Sequence, residues 1–345
     1  MTKTMKRWEL TALGLDNLAI REVPLPEPQE GEVLVRVDAV SLNFRDHLML
    51  EHGLPYENDG GVKLPIPFTP ASDMAGEVVA VGPGVTRFKE GDCVISHIIP
   101  EWIDGPLAMR PTQTQGGPIQ GMMADYVATP AEWLVRAPTS LSAAEAATLP
   151  LAALTAWTAL FEFGKLKANE TVLIQGTGGV SLFGLQFAAA VGAEVIITSS
   201  SDEKLAIAKN LGAKHGINRA DNPDWAAVVN DLTGGVGCNH ILEVAGGESM
   251  GKALNCVAPS GKVYAVGILE SPELSFPILP LIYNSASIIG ISIGSRRALE
   301  EMVGVIDRYG IKPVIDTVYD FENGREAMHH LKRGAFGKIV IKGRH

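Results

Sequence analysis

The stretch Thr171-Val172-Leu173-Ile174-Gln175-Gly176-Thr177-Gly178-Gly179-Val180-Ser181 constrains this chain more than any other. It opens as a short, mainly apolar run, the pattern of a strand buried on both faces. Glycines and small residues follow, and then an apolar, alanine-rich run from Leu182 to Val191, long enough for a helix. A strand, a glycine turn and a helix N-terminus together make an anion site. The glycines allow close backbone approach, and the first N–H groups of the helix have no internal partners. The spacing therefore predicts a dinucleotide fold, in which Gly176, Thr177, Gly178, Gly179, Val180 and Ser181 cradle a pyrophosphate. Ser181 stands at the third glycine position and is small enough for close helix–strand packing. The plain alternative is an ordinary tight turn between strand and helix.

A second strand, Glu194 to Thr198, runs into Ser199-Ser200-Ser201, and Asp202-Glu203-Lys204 opens another helix. A site for NAD places an acidic residue about 20 residues after the glycines, where it holds the ribose 2′-hydroxyl. Ser199 occupies that place. A carboxylate would repel a 2′-phosphate, whereas hydroxyls bond it and a cation neutralises it. The cofactor predicted is NADP(H), held by Ser199, Ser200 and Lys204, with Asn218 and Arg219 at the end of the next strand. The competing reading makes Ser199 to Ser201 a helix cap and Lys204 a solvated surface residue. Ligands lie outside the carboxyl ends of parallel strands, so Ala245 and the run Val266-Gly267-Ile268 are also expected to face the cofactor.

Composition narrows the partners. The chain has 345 residues, 46% hydrophobic and 20% charged, enough for two soluble domains. A net charge of −10 with no basic block argues against nucleic acid or an anionic membrane. Cys93, Cys238 and Cys256 are too scattered for a disulfide framework or zinc spacing, which favours a reducing compartment. Met1 to Leu10 leads into no apolar signal region, and Leu141 to Leu160 is broken by Pro150, so it reads as a helix inside a soluble protein. The expected location is the cytoplasm.

The fold class expected is α/β: a doubly wound parallel sheet inserted in a discontinuous β-rich domain. Strands are predicted at 32–40, 75–82, 92–96 and 124–128, with long Pro/Gly-rich loops at His52–Pro70 and Pro100–Gly121. Alternating strands follow at 171–175, 194–198, 215–218, 239–244, 261–266 and 287–291. The domain limits read from this are 1–141, 142–291 and 292–345, the first and last forming one domain and a ligand cleft lying between the two bodies.

This order of elements, with Leu42-Asn43-Phe44-Arg45-Asp46, Pro70-Ala71-Ser72-Asp73-Met74-Ala75-Gly76-Glu77-Val78, Ala147-Thr148-Leu149-Pro150 and Thr155-Ala156-Trp157, resembles the medium-chain dehydrogenase/reductase superfamily. Within it the chain looks most like the zinc-free, quinone-oxidoreductase-like branch. The resemblance implies a GroES-like catalytic domain, a Rossmann domain, NAD(P)(H)-dependent redox chemistry and a homodimer. Zinc members carry a cysteine where this chain has Asn43, a His-Glu pair at Ser72-Asp73 and a cysteine at Leu151. That set cannot supply three ligands, nor do His47 and His97 complete it, so no metal is expected. Without a Lewis acid, the substrate oxygen needs hydrogen-bond donors or a cation. Asn43 and Arg45 are the residues expected to act, with Asp46 beside them, although capping the next helix or pairing with Arg45 suits Asp46 better. Thr155 matches a threonine near the nicotinamide, and Tyr126 and Tyr264 are alternative proton donors. The function expected is hydride transfer between NADP(H) and a quinone, an enone or a related small carbonyl substrate. A zinc-free alcohol or aldehyde dehydrogenase and a non-catalytic NADPH-binding redox sensor are the rivals.

Overall fold

Alternation such as Glu32-Val33-Leu34-Val35-Arg36-Val37 suits a sheet with one face on a core, and the chain begins with strands of this kind. They are β1 (Thr4–Leu10), β2 (Leu18–Pro24), β3 (Glu32–Leu42), β4 (Asp73–Val81), β5 (Cys93–Ser96), β6 (Tyr126–Pro130) and β7 (Leu134–Arg136). Next come β8 (Thr171–Ile174), β9 (Glu194–Ser199), β10 (His215–Asn218), β11 (Cys238–Glu243), β12 (Gly246–Gly247), β13 (Val257–Ala265), β14 (Ser271–Leu274) and β15 (Ser287–Gly290). The strands β16 (Ile315–Tyr319) and β17 (Lys338–Lys342) close the chain. Helices are α1 (Phe44–His52), α2 (Ala143–Ala146), α3 (Leu154–Trp157), α4 (Gly179–Ala190), α5 (Asp202–Asn210), α6 (Trp225–Leu232), α7 (Ser249–Asn255), α8 (Ile278–Tyr283), α9 (Arg296–Tyr309) and α10 (Gly324–Arg333). The computed structural model describes residues 3–53, 63–109, 111 and 113–345. Parts of both expected long loops, 54–62, 110 and 112, lie outside the described residues.

Two units result, 1–152 with 295–345, and 153–294. The first holds a sheet in the order β16-β17-β3-β4-β5-β7, with β6 also on β3; all pairs are antiparallel except β16 with β17. Its core gathers Trp8, Leu10, Val35, Leu42, Phe68, Met74, Met123, Phe321 and Ile339. The hairpin of β1 and β2 is absent from the sequence reading, because Lys3, Lys6 and Arg7 mask its alternation.

The second unit holds a parallel sheet in the order β10-β9-β8-β11-β13-β15. Each expected strand of the doubly wound sheet is present, and β13 starts at Val257, ahead of the expected 261. The order reverses between β8 and β11, which opens a crevice at their carboxyl ends.

The expected boundary at 141/142 moves to 152/153, and the later one from 291/292 to 294/295. The reason is packing. Ser142 caps α2 by accepting the Glu145 N–H, and α2 lies against β3, β4 and β17. Ala146, Ala147 and Leu149 are then buried, and Leu151 N–H bonds Asp73 in the same unit. Leu141 to Leu160 is helical in short pieces, interrupted by π-turns at 149–153 and 158–163. No described helix is long and apolar enough to cross a membrane.

Candidate functional site

The glycine turn follows β8 directly. Gly176 takes φ +71, a left-handed conformation that favours glycine, and its N–H donates to Thr198 Oγ1 at 3.2 Å. Gly178 is the N-cap of α4 and supplies no capping side chain, so the first-turn N–H groups are left for a ligand. A Cβ added at Gly178 would meet nothing within 4 Å. Gly179 and Val180 are part-exposed beside it, and Thr177 is buried. Ser181 is buried, small enough for the close packing expected at its position. Its hydroxyl donates back to Gln175 O at 2.7 Å, and a further close approach comes one turn later. There a Cβ on Gly184 would lie 2.9 Å from Leu242 Cδ2 and 3.1 Å from Ile174 Cδ1. The turn leaves unpaired backbone N–H groups at the start of α4, a geometry that suits an anionic ligand.

At the end of β9 the serines divide their roles. Ser199 is buried and its carbonyl accepts the Arg219 N–H at 2.8 Å, while Ser200 is exposed. Ser201 caps α5, its hydroxyl accepting the Lys204 N–H at 3.3 Å, so the capping reading holds for that residue. The Lys204 ammonium has no hydrogen-bond or ion-pair partner among the described residues. Asn218 donates its amide to Asp202 at 3.0 Å, and the half-exposed Arg219 lies 3.9 Å from Glu270.

The carboxyl ends of β11 and β13 are drawn together by backbone. A Cβ on Gly267 would fall 2.0 Å from Val244 O, so only glycine fits. Val266 N–H donates to Glu243 O at 2.9 Å, and Ile268 is exposed just beyond. The Glu243 carboxylate, which sequence reasoning missed, accepts the Ala245 and Gly246 N–H groups at 3.0 and 3.1 Å. Burial raises its pKa against those bonds. Thr155 is buried on α3.

Tyr264 does not serve as a proton donor at a site. It is fully buried, and its hydroxyl lies 2.7 Å from His240 Nδ1. Nε2 of the same ring lies 3.1 Å from Glu170 Oε2. The carboxylate only accepts, so Nε2 carries the proton and Tyr264 donates to Nδ1. Tyr126 pairs with Arg36 of β3, six residues before Leu42, roughly 20 Å along the strand from Asn43.

In the first unit the residues expected to act converge on the end of β3. Asn43 is the N-cap of α1, and Asp46 accepts the Asn43 N–H at 2.8 Å. Asp46 is therefore a cap, as its alternative role required. Burial pushes its pKa up to about 7 against the influence of Arg45. Arg45 donates to Gln115 O and Thr114 Oγ1, each at 2.8 Å, so its guanidinium ties the Pro100–Gly121 loop to α1. Asp73 is fully buried. Ser72 Oγ donates to one oxygen at 3.0 Å and Leu151 N–H to the other at 3.2 Å. Burial raises the Asp73 pKa, while Lys338 and the Asn43 side chain favour its charged form. Lys338, at 4% exposure, donates to Asn43 Oδ1 at 2.5 Å and Leu42 O at 2.7 Å. Asn43 Nδ2 is buried and makes no hydrogen bond of normal geometry.

Asp73 and Lys338 join the cluster without having been singled out. The signal in the sequence is a lysine opening an otherwise apolar strand, Lys338-Ile339-Val340-Ile341. The donor set does not fit a catalytic zinc. An amide, a hydroxyl and an aliphatic chain stand at Asn43, Ser72 and Leu151, and a lysine lies among them. Among the described residues no group of three or more His, Cys, Asp or Glu could hold a metal ion.

The chain is similar to known proteins over nearly its whole length. Residues 29–139 match the alcohol dehydrogenase GroES-like domain, and residues 179–308 match the zinc-binding dehydrogenase family. A zinc-type alcohol dehydrogenase-like protein of Schizosaccharomyces pombe is 39% identical, over 95% of this chain and 96% of that one. The 2-methylene-furan-3-one reductase of Solanum lycopersicum is 31% identical, over 98% of this chain and 79% of that one. A solved structure from Sinorhizobium meliloti 1021, provisionally assigned as an alcohol dehydrogenase, is 51% identical and superimposes with a TM-score of 0.93 over 99% of both chains. Dehydrogenases of this family bind a nicotinamide cofactor, and the glycine turn fits one. The chain belongs to the medium-chain dehydrogenase/reductase superfamily, as an oxidoreductase of the alcohol dehydrogenase-like and enoyl reductase-like type.

Proposed function

We propose that this protein is a zinc-independent, NADP(H)-dependent oxidoreductase acting on a quinone, an enone or a related small carbonyl substrate. The observation that carries the reading is the Asn43–Asp73–Lys338 cluster. It sets an amide at Asn43, one of the positions that the resemblance aligns with zinc ligands, and a lysine beside it. The bound nicotinamide supplies or accepts the hydride. This chain's own residues orient the partners and stabilise charge. Asn43 Nδ2 is a buried donor with no full hydrogen bond, suited to the oxygen that gains negative charge during reduction. Arg45 holds the loop that covers α1, and Asp46 fixes the backbone of Asn43.

Support for the phosphate-bearing cofactor comes from the end of β9. Ser199 stands where an NAD site has its acid, and Lys204, without a side-chain partner among the described residues, together with the half-exposed Arg219 after the next strand, suits a 2′-phosphate. The test combines metal analysis with kinetics. The purified enzyme is expected to hold no stoichiometric zinc and to keep its activity in chelator. Asn43→Ala is expected to lower kcat with quinones or enones about a hundredfold while NADPH affinity changes little. Lys204→Ala is expected to weaken NADPH about tenfold and leave NADH unchanged. One zinc per chain with activity lost on its removal, or equal NADPH and NADH affinities, overturns the corresponding part. The alternative, a zinc-free alcohol dehydrogenase, draws on the Sinorhizobium likeness; it requires simple alcohols to support NADP+ reduction.

The protein is also proposed to be a cytoplasmic homodimer. Its three cysteines form no disulfide, and burial pushes the Cys256 thiol up to about 12. The edge strand β15 leaves backbone groups unpaired, and α8 exposes Ile278, Leu279, Ile282 and Tyr283 beside it in the sequence. Two copies meeting edge to edge on a two-fold axis would cover both.

A further inference from the structure

The oxygen and nitrogen of an asparagine amide have nearly the same shape, so its orientation is chosen by its neighbours. At Asn43 the neighbour is set by strand register. Ile339 of β17 pairs with Leu42 of β3, so antiparallel pairing places Lys338 opposite Asn43, one step past the end of β3. The Lys338 ammonium donates to both Leu42 O and Asn43 Oδ1. An ammonium has donors only and can hold the carbonyl end of an amide, never the NH2 end. From this geometry, and resting on the functional reading above, we infer that Lys338 is a positioning residue. It fixes the Asn43 amide in the single orientation that keeps Nδ2 available as donor to the substrate oxygen.

Two observations support the assignment independently. Lys338 lies almost wholly out of solvent, a costly place for a lysine unless its charge is used. Burial lowers the Lys338 pKa, and Asp73 and Asp46 oppose that fall by favouring the charged form. Asn43 Nδ2, the opposite end of the same amide, is buried without a full hydrogen bond. Removal of Lys338 would do more than let the amide rotate freely. Leu42 O, left without the Lys338 donor, is an acceptor that would attract Nδ2 away from the Asp73 side, where it now favours the carboxylate. The flipped amide would then present Oδ1 to the substrate, and activity would fall with the competent fraction.

The experiment uses the full chain with NADPH and two probes, 2-cyclohexen-1-one and 1,4-benzoquinone. Lys338→Met is expected to lower kcat at least about tenfold with KM for NADPH within about threefold, and Lys338→Arg to restore part of the loss. In Asn43→Ala the same Lys338→Met change is expected to add less than about threefold, because both act through one group. In 15N-asparagine-labelled protein, the side-chain amide signal assigned by Asn43→Ala should move strongly in Lys338→Met. An unmoved amide signal, a kcat within about threefold of wild type in Lys338→Met, or losses that multiply in the double variant overturns the inference. If Asn43→Ala itself leaves kcat unchanged, or the wild type oxidises NADPH with neither probe, the functional reading falls and takes this inference with it. Should Lys338→Met fail to fold, Asp73→Asn/Lys338→Met preserves the balance of charge and carries the same expectations.

Discussion

Replacing Gly178 by alanine separates cofactor binding from folding. The backbone at Gly178, φ −80 and ψ −176, is open to any residue, and the added methyl would find no protein atom within 4 Å. The folded state should therefore lose little: exchanging glycine for alanine at a helix N-cap costs about 1 kcal/mol at most. That corresponds to a fall in melting temperature of a few degrees. The space the methyl enters is the one a pyrophosphate needs to approach the first N–H groups of α4. Each charge-assisted hydrogen bond lost there is worth about 1.5–3 kcal/mol, so NADPH affinity should drop between about tenfold and a hundredfold or more. Gly267→Ala provides the contrast. Its Cβ would fall 2.0 Å from Val244 O, a backbone atom that no rotamer change can move. Overpacking of that kind costs about 1–3 kcal/mol, and the melting temperature should fall several degrees further than in Gly178→Ala. Fluorescence titration with NADPH and scanning calorimetry on both variants read the two effects. Gly178→Ala that binds NADPH within threefold of wild type would refute the phosphate cradle.

Burial holds the His240 pKa below its ordinary value, against the raising influence of Glu170, so the unfolded chain takes up this proton at higher pH than the folded one. The resulting stability is present above pH ~6.5 and lost as pH falls through the folded pKa. Melting curves between pH 7.5 and 5.5 should therefore descend more steeply for wild type than for His240→Gln; parallel descents would show that the ring contributes nothing. Tyr264→Phe leaves His240 Nδ1 without its partner and should cost about 1–3 kcal/mol by denaturant titration, so an unchanged midpoint would discount that bond. Light scattering should give a dimer for wild type and a monomer for Ile282→Asp/Tyr283→Asp; a dimer that survives both changes moves the interface elsewhere.

The second unit was legible in the residues almost throughout. Its strands are short apolar runs separated by amphipathic or alanine-rich helices, and that pattern is local: each element announces itself within a few residues. The glycine turn was legible for the same reason, since backbone conformation and helix start are set by neighbours in the chain. The set Asn43, Ser72 and Leu151 was readable once the family motifs aligned them. Local reading reached its limit wherever a residue's role depends on a distant partner. The hairpin of β1 and β2 was hidden by charged residues that its partner strand accommodates. Gly184 was not singled out, because only the docking of α4 on Ile174 and Leu242 shows that this position too approaches the sheet. Arg45 became a loop tether and Tyr264 an inward hydrogen-bond donor through bonds to residues 69 and 24 positions away. Lys338 lies 295 residues from Asn43, and nothing near it in sequence announces that contact. It follows from the pairing of β17 with β3, which leaves a buried lysine beside the amide. Burial and long-range register set the electrostatics of that cluster, and both exist only once the chain has folded.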